Sequence, residues 1–178
     1  MRWMWIDRVV ELVPRQKMVA VKNVSLAEEH LHDHFAADEK HGLAAEPVMP
    51  ACFIIEGMAQ TGGILVGHAE EFKEKVILAK ISRAELTRDA TPGCVLRYTA
   101  LMERFDAQGA AVKGTVEIFD PARVEAGFVA MGTIDLVFSH LDNNTGGAGQ
   151  TGVDFPAHNF VFGEQFKTLL RSSGVGLG

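Results

Sequence analysis

"PVMPACFIIEGMAQTGGILVGHAEEF", Pro47 to Phe72, decides how this chain is built. It is the longest helical candidate in the sequence. Pro50 suits a first helical position, because the opening amides of a helix lack intrahelical acceptors in any case. Apolar residues from Phe53 to Val66 surround almost the whole circumference, which predicts a helix buried on most sides. Gly57, Gly62 and Gly63 each cost roughly 1 kcal/mol of helix propensity against alanine, so their expected compensation is close packing of neighbouring backbone. Glu56 stands out as a lone carboxylate in this apolar setting. Burying an unpaired charge is expensive, so Glu56 faces either water or a cleft that supplies a partner. Gln60 lies one turn on along the same face, where its amide can reach the carboxylate. Composition alone leaves catalytic and structural readings of the pair equally open.

Upstream, "WIDRVVELV" and "KMVAVKNVS" read as two strands around a turn at Pro14–Gln16. "SLAEEHLH" reads as a short helix, capped by Ser25, with Glu28 completing a capping box. Downstream of Lys75 the period changes to two. "KVILAKISRAEL", "CVLRYTALMERF", "AAVKGTVEIFD" and "EAGFVAMGTIDLVFS" are strand candidates, separated by the turns "ATPG", "DAQG" and "DPAR". Short turns between successive strands imply an antiparallel sheet. The expected architecture is α+β, with one long central helix wrapped by a curved antiparallel meander. That domain covers residues 1–141. Residues 142–178 are expected to form a Gly-rich linker and tail in which Phe162, Phe166, Leu169 and Leu170 share one face of a short helix, with the last seven residues disordered.

The chain has 178 residues, 47% of them apolar, enough for one well-buried domain. A net charge of -6 with no run of Lys or Arg argues against nucleic-acid or anionic-membrane partners. Cys52 and Cys94 form no disulfide framework or metal spacing, so a cytoplasmic setting is expected. "MRWMWIDRVV" lacks the apolar stretch of a signal peptide, and the apolar run from Ala51 to Val66 is too short to span a bilayer.

"HLHDHF", His30–Phe35, carries histidines at alternate positions, which suggests a metal site at first sight. Alternate residues converge only on an extended chain, whereas the capping box starts this segment as a helix. No second His and Asp group completes a site, so the expected metal content is none. His30 and His32 read better as polar or partly exposed residues. At the start of the long helix, the amides of Ala51 and Cys52 lack intrahelical acceptors and offer an anion or oxyanion site. Cys52 itself reads as a small buried hydrophobe in preference to an activated thiol.

"DHF" followed by "PVMPACFIIEGMAQTGG" resembles the beta-hydroxyacyl-(acyl carrier protein) dehydratases of type II fatty acid synthesis. Their motif runs H-F-P-G-x-P-V-M-P-G, then an apolar helix with an acid, then A-M-A-Q. "KISRAELTRDATPGCVLRYTALMERF" resembles their strand, R-x-x-V-x-P-G-D turn and next strand, and the likeness spans about residues 5 to 138. It implies a hotdog fold and a lyase that eliminates water from a (3R)-3-hydroxyacyl thioester to give a trans-2-enoyl thioester. It also implies an acyl carrier protein as partner, no cofactor, and a homodimer, in some cases a trimer of dimers, in which the histidine and the acid come from different subunits. Carried over, the histidine is His34 and the acid is Glu56. Gln60 orients Glu56, and the amide of Ala51 or Cys52 binds the thioester oxygen.

The chain departs from that motif at several positions. Ala51 stands where the family has glycine, and Asp33 precedes the histidine. An insertion over 36–46, "AADEKHGLAA" with Glu46, replaces a short Pro-Gly segment and brings in His41 as an alternative catalytic histidine. His34 is preferred because Phe35 follows it. The insertion and the Gly-to-Ala change motivate a second reading, a non-catalytic acyl or acyl-carrier-binding protein. A hotdog acyl thioesterase is a third, disfavoured by the "PVMP…E…MAQ" block.

Overall fold

A computed structural model describes residues 3–32, 35–141 and 158–176. The opening pair of strands forms as expected: β1 (Arg8–Val13) and β2 (Lys17–Asn23) are antiparallel around the 14–16 turn. The short helix α1 covers only Glu29–His32. Half of the expected capping box is present. Glu28 Oε2 accepts from the Ser25 amide at 3.4 Å, while Ser25 Oγ accepts from Ala27 instead of Glu28.

The long helix α2 spans Ala51–Ala69. Pro50 is its N-cap, with φ -55° and ψ 135°, and not its first helical residue. The extended ψ of Pro50 turns the incoming chain away, and no side chain caps the helix. Its glycines serve close approach, though mainly to rings. A Cβ on Gly57 would sit 2.6 Å from the Tyr98 ring and 2.8 Å from the Trp5 carbonyl. One on Gly62 would meet the Phe138 ring at 3.0 Å, whereas Gly63 has ordinary room.

Four strands follow: β3 (Val76–Leu86), β4 (Val95–Asp106), β5 (Gly109–Phe119) and β6 (Phe128–His140). At the β4–β5 turn, Asp106 Oδ1 accepts from the amides of Gln108 and Gly109, which closes the hairpin tightly. The sheet is antiparallel but not a simple meander. Its order is β1-β2-β4-β5-β6-β3, so β3 pairs with β6 and lies at the far edge from its expected neighbour β4. The "ATPG" turn therefore joins strands at different places in the sheet. Thr87 donates to the Met131 carbonyl, Met49 to Ala90, and Gly93 to Val24, pinning the 87–94 crossing beside the start of α2.

α2 packs against β2 to β6. Alternate residues Leu96, Tyr98 and Ala100 of β4, and Val112, Val116 and Ile118 of β5, are buried, as a half-covered sheet requires. This is a sheet wrapped on a central helix, the hotdog arrangement. The tail forms α3 (Glu164–Ser172), with Leu169 and Leu170 buried. Residues 173–176 continue as an ordered turn, contrary to the expected disorder. Val175 donates to Leu170, and Ser173 Oγ accepts from the Val9 amide at the β1 edge. The Gly-rich stretch from Asn143 lies outside the described residues. No helix of the described residues is long and apolar enough to cross a membrane.

Candidate active site

Glu56 sits half-buried on α2 and is held by neighbours from two elements. Gln60 Nε2 donates to Glu56 Oε1 at 3.0 Å, the contact its one-turn spacing predicts. Trp3 Nε1 donates to the same oxygen at 3.2 Å. Gln60 is itself buried and fully engaged. It accepts from the Trp5 amide at 2.8 Å and donates to the Trp3 carbonyl at 3.0 Å. The segment before β1 is thereby fastened to the face of α2 that carries the carboxylate.

That segment was not singled out by sequence reasoning. Trp5 stacks on Phe53 with ring centroids 4.0 Å apart, and Trp3 meets both rings edge-on. The alternating tryptophans of "WMW" were the available signal: residues two apart on an extended chain share a face. His30 joins this cluster, edge-on to Trp5 and Phe53 at 4.8 Å each. It belongs to an aromatic wall and remains partly exposed on α1.

Beside Glu56 lies a cavity of about 260 Å³. Gln60 and Gly63 of α2, Ile77 and Leu78 of β3, Phe138 of β6 and Phe162 of the tail contribute to its lining. Its walls are largely apolar, and Glu56 is its carboxylate. A larger cavity of about 620 Å³ lies elsewhere, between β2, α3 and the segment that precedes β1. It is lined by the ion-paired Asp7, Lys22 and Glu28 and has no part in the Glu56 site.

At the other end of the site, Ala51 and Cys52 are exposed at the first turn of α2. Among the described residues no acceptor meets either amide, and Ala51 lines a separate opening of about 420 Å³ with Pro50, Arg88 and Asp89. Cys52 is exposed, not the buried hydrophobe its neighbours suggested, and Cys94 is buried. Both thiols are free.

Asp33 and His34 lie outside the described residues. The Phe35 carbonyl accepts from the Glu46 amide at 3.0 Å, so the insertion leaves and re-enters the chain at one point. Within it, Asp38 and Leu43 exchange backbone hydrogen bonds around a 3-10 turn at Glu39–His41. His41 is exposed, and its Nδ1 lies 2.6 Å from Asp38 Oδ2. The loop is thus a closed side branch, and its stem sets Phe35 next to the strand of chain entering "PVMP". Among the described residues no three His, Cys, Asp or Glu side chains gather as metal ligands.

A FabA-like domain matches residues 2–120. The 3-hydroxyacyl-(acyl-carrier-protein) dehydratase FabZ of Acidiphilium cryptum (strain JF-5) is 36% identical over 129 residues, covering 71% of this chain and 73% of that protein. The protein of the same name from Clostridium tetani (strain Massachusetts / E88) is 33% identical over 127 residues, covering 71% and 84%. Among solved structures, the dehydratase heterocomplex ApeI:P from Xenorhabdus doucetiae superposes with a TM-score of 0.57 at 19% identity over 78% of this chain and 83% of that one, a likeness of fold.

Proposed function

Because this chain belongs to the FabA-like family and holds a single glutamate at an apolar cavity, we propose that it is a 3-hydroxyacyl-(acyl carrier protein) dehydratase. The observation that carries this reading is the Glu56 carboxylate, oriented by Gln60 and Trp3 at the cavity's polar end. Elimination needs a base for the proton on the carbon next to the thioester and an acid for the departing hydroxyl. His34 is the base and Glu56 the acid. The proton taken by His34 leaves the electron pair to form the carbon–carbon double bond. The proton from Glu56 turns the hydroxyl into water. The amides of Ala51 and Cys52, at the positive end of α2, bind the thioester oxygen as negative charge develops on it. Neither a metal nor a cofactor takes part in these steps.

His34 is favoured over His41 by the closed stem of the insertion. With Phe35 bonded to Glu46, the inserted residues bulge out and the motif's two halves stay adjacent. His41 faces solvent and its own Asp38. The homodimer is supported by β3. Among the described residues this edge strand pairs only with β6, is exposed along nearly all its length, and carries Ile77, Leu78 and Ile81 at the surface. An exposed apolar edge is a template for pairing, and a partner there would cover the cavity lined by Ile77 and Leu78 and present its own His34. The free state of both cysteines supports a cytoplasmic location.

The test follows enoyl absorbance with 3-hydroxyacyl and enoyl thioesters on acyl carrier protein. Turnover is expected, with losses of at least about a hundredfold in His34→Ala and Glu56→Gln and near-full activity in His41→Ala. Absence of turnover in both directions at every chain length would remove the dehydratase reading. Loss of activity in His41→Ala alone would reassign the base.

A further inference from the structure

We infer that the tail residues Asn159–Phe166 form the end wall of the acyl cavity and limit the length of chain it admits, with Phe162 as the stop. The inference rests on the dehydratase reading for its substrate class. Glu56, Gln60, Gly63 and Gly67 follow one another at i, i+4, i+7 and i+11, a single stripe along α2. The first three line the cavity. An acyl chain whose thioester end sits at Glu56 and the start of α2 extends along this stripe toward the helix's C-terminal end. Gly67 lies about 16 Å from Glu56 along the axis. There the stripe ends against a ring: a Cβ on Gly67 would stand 2.4 Å from Cζ of Phe162. Phe162 is buried and also lines the cavity, as do Val161 and Phe166.

The wall is fastened in place. Asn159 Nδ2 donates to the carbonyls of Phe72 and Glu74, both at 2.9 Å, which ties the tail to the loop between α2 and β3. Asn159 Oδ1 in turn accepts from the amides of Val161 and Phe162, fixing the turn that aims the ring. Phe72 and Phe166 pack edge-on to Phe162, with centroids 4.9 and 5.8 Å away. Beyond it, α3 buries Leu169 and Leu170, and Ser173 bonds the β1 edge. The ring is held by contacts on both sides of the chain, so a longer substrate cannot displace it without breaking the clamp. All of these tail residues lie beyond the segment 2–120 matched by the family model.

The experiment measures kcat/KM of the full-length protein across short, medium and long 3-hydroxyacyl thioesters. Wild type is expected to fall by about tenfold or more per added methylene once the chain reaches the wall. In Phe162→Ala the long-to-short ratio of kcat/KM rises by at least about tenfold, carried mainly by KM. Phe162→Leu, which keeps an apolar side chain against Gly67, gives a smaller shift in the same direction should the alanine variant fold poorly. Lys167→Ala, on the exposed side of α3, leaves the profile as in wild type. A wild type that accepts long chains as readily as short ones, or a Phe162→Leu profile that superposes on it, overturns the wall. Should no thioester be turned over, the dehydratase reading fails separately. The wall is then read by calorimetric titration with enoyl thioesters of graded length, where Phe162→Leu must gain affinity for long chains relative to wild type, and equal affinities refute it.

Discussion

Gln60→Leu tests whether the residue beside Glu56 is a structural clasp and a positioning group at once. The substitution keeps the approximate volume and removes three hydrogen bonds. The Trp5 amide loses its acceptor at 2.8 Å in a buried setting, which costs about 1–3 kcal/mol. The bond to Glu56 weighs less than a buried charged bond, because the half-buried carboxylate keeps Trp3 and can take up water. Leucine regains about 1 kcal/mol of apolar burial. The net loss is about 2 kcal/mol, equivalent to a fall in Tm of about 4–8 °C for a chain of this size. Urea denaturation followed by circular dichroism reads the stability, and enoyl formation reads kcat. Both fall in Gln60→Leu. Gln60→Glu retains an acceptor for Trp5 but sets a second carboxylate one turn from Glu56. The two like charges repel, and protonation of either removes the repulsion. The variant's stability relative to wild type is best in acid and is lost as pH rises through the carboxylate range. A Gln60→Leu protein within about 0.5 kcal/mol of wild type, with unchanged kcat, would refute the clasp.

Gly57→Ala is expected to destabilise the fold by about 1–2 kcal/mol, since overpacking against Tyr98 and Trp5 outweighs the gain in helix propensity. Gly63→Ala, whose Cβ meets only Phe138 at 3.5 Å, is neutral or stabilising by up to about 1 kcal/mol; the opposite order in urea midpoints would count against the packing described. Tyr98, the protein's only tyrosine, has its hydroxyl pKa pushed up by burial first, then by the charges of Asp7 and Glu28. Its neutral form stabilises the fold below the ordinary tyrosine pKa near ~10, and that stability declines at higher pH. Tyrosinate absorbance therefore rises together with unfolding, and a free titration near ~10 with native circular dichroism would contradict the burial. Ile81→Lys on the exposed β3 edge converts the proposed dimer to a folded monomer by light scattering and abolishes turnover; an unchanged mass would move the interface elsewhere.

The central helix and every strand were legible in the sequence because their signals are local. "CVLRYTALMERF" alternates, and β4 buries Leu96, Tyr98 and Ala100 accordingly. The position of β3 was not legible. Its sequence reads as a strand, but the partner it pairs with is set by where the 87–94 crossing is anchored, and those anchors end on backbone groups of Met131, Met49 and Val24, with Thr87 and Arg88 side chains adding bonds to the Met131 and Ala130 carbonyls, so no partner side chain identifies the pairing. A turn such as "ATPG" reports that the chain changes direction, not which edge of the sheet it then joins. The misplaced strand matters for the site, since β3 at the free edge is what leaves Ile77 and Leu78 beside the cavity.

Within the site, the Glu56–Gln60 contact was readable because helical spacing determines it. Trp3 was not, because its contact joins the start of the chain to the middle of α2, and only the fold brings them together. The tail shows the same principle at longer range. The sequence marks Phe162, Phe166, Leu169 and Leu170 as an apolar face needing cover, but it does not say what covers them. The structure supplies the cover at Gly67, whose missing Cβ is the notch into which Phe162 fits. An alanine at Gly67 and a phenylalanine at 162 cannot both keep their places at 2.4 Å, so Gly67→Ala must displace the ring. If Phe162 is the stop of the acyl cavity, that substitution on the central helix will alter the chain-length profile although Gly67 itself does not line the cavity, and combining it with Phe162→Ala will remove its effect.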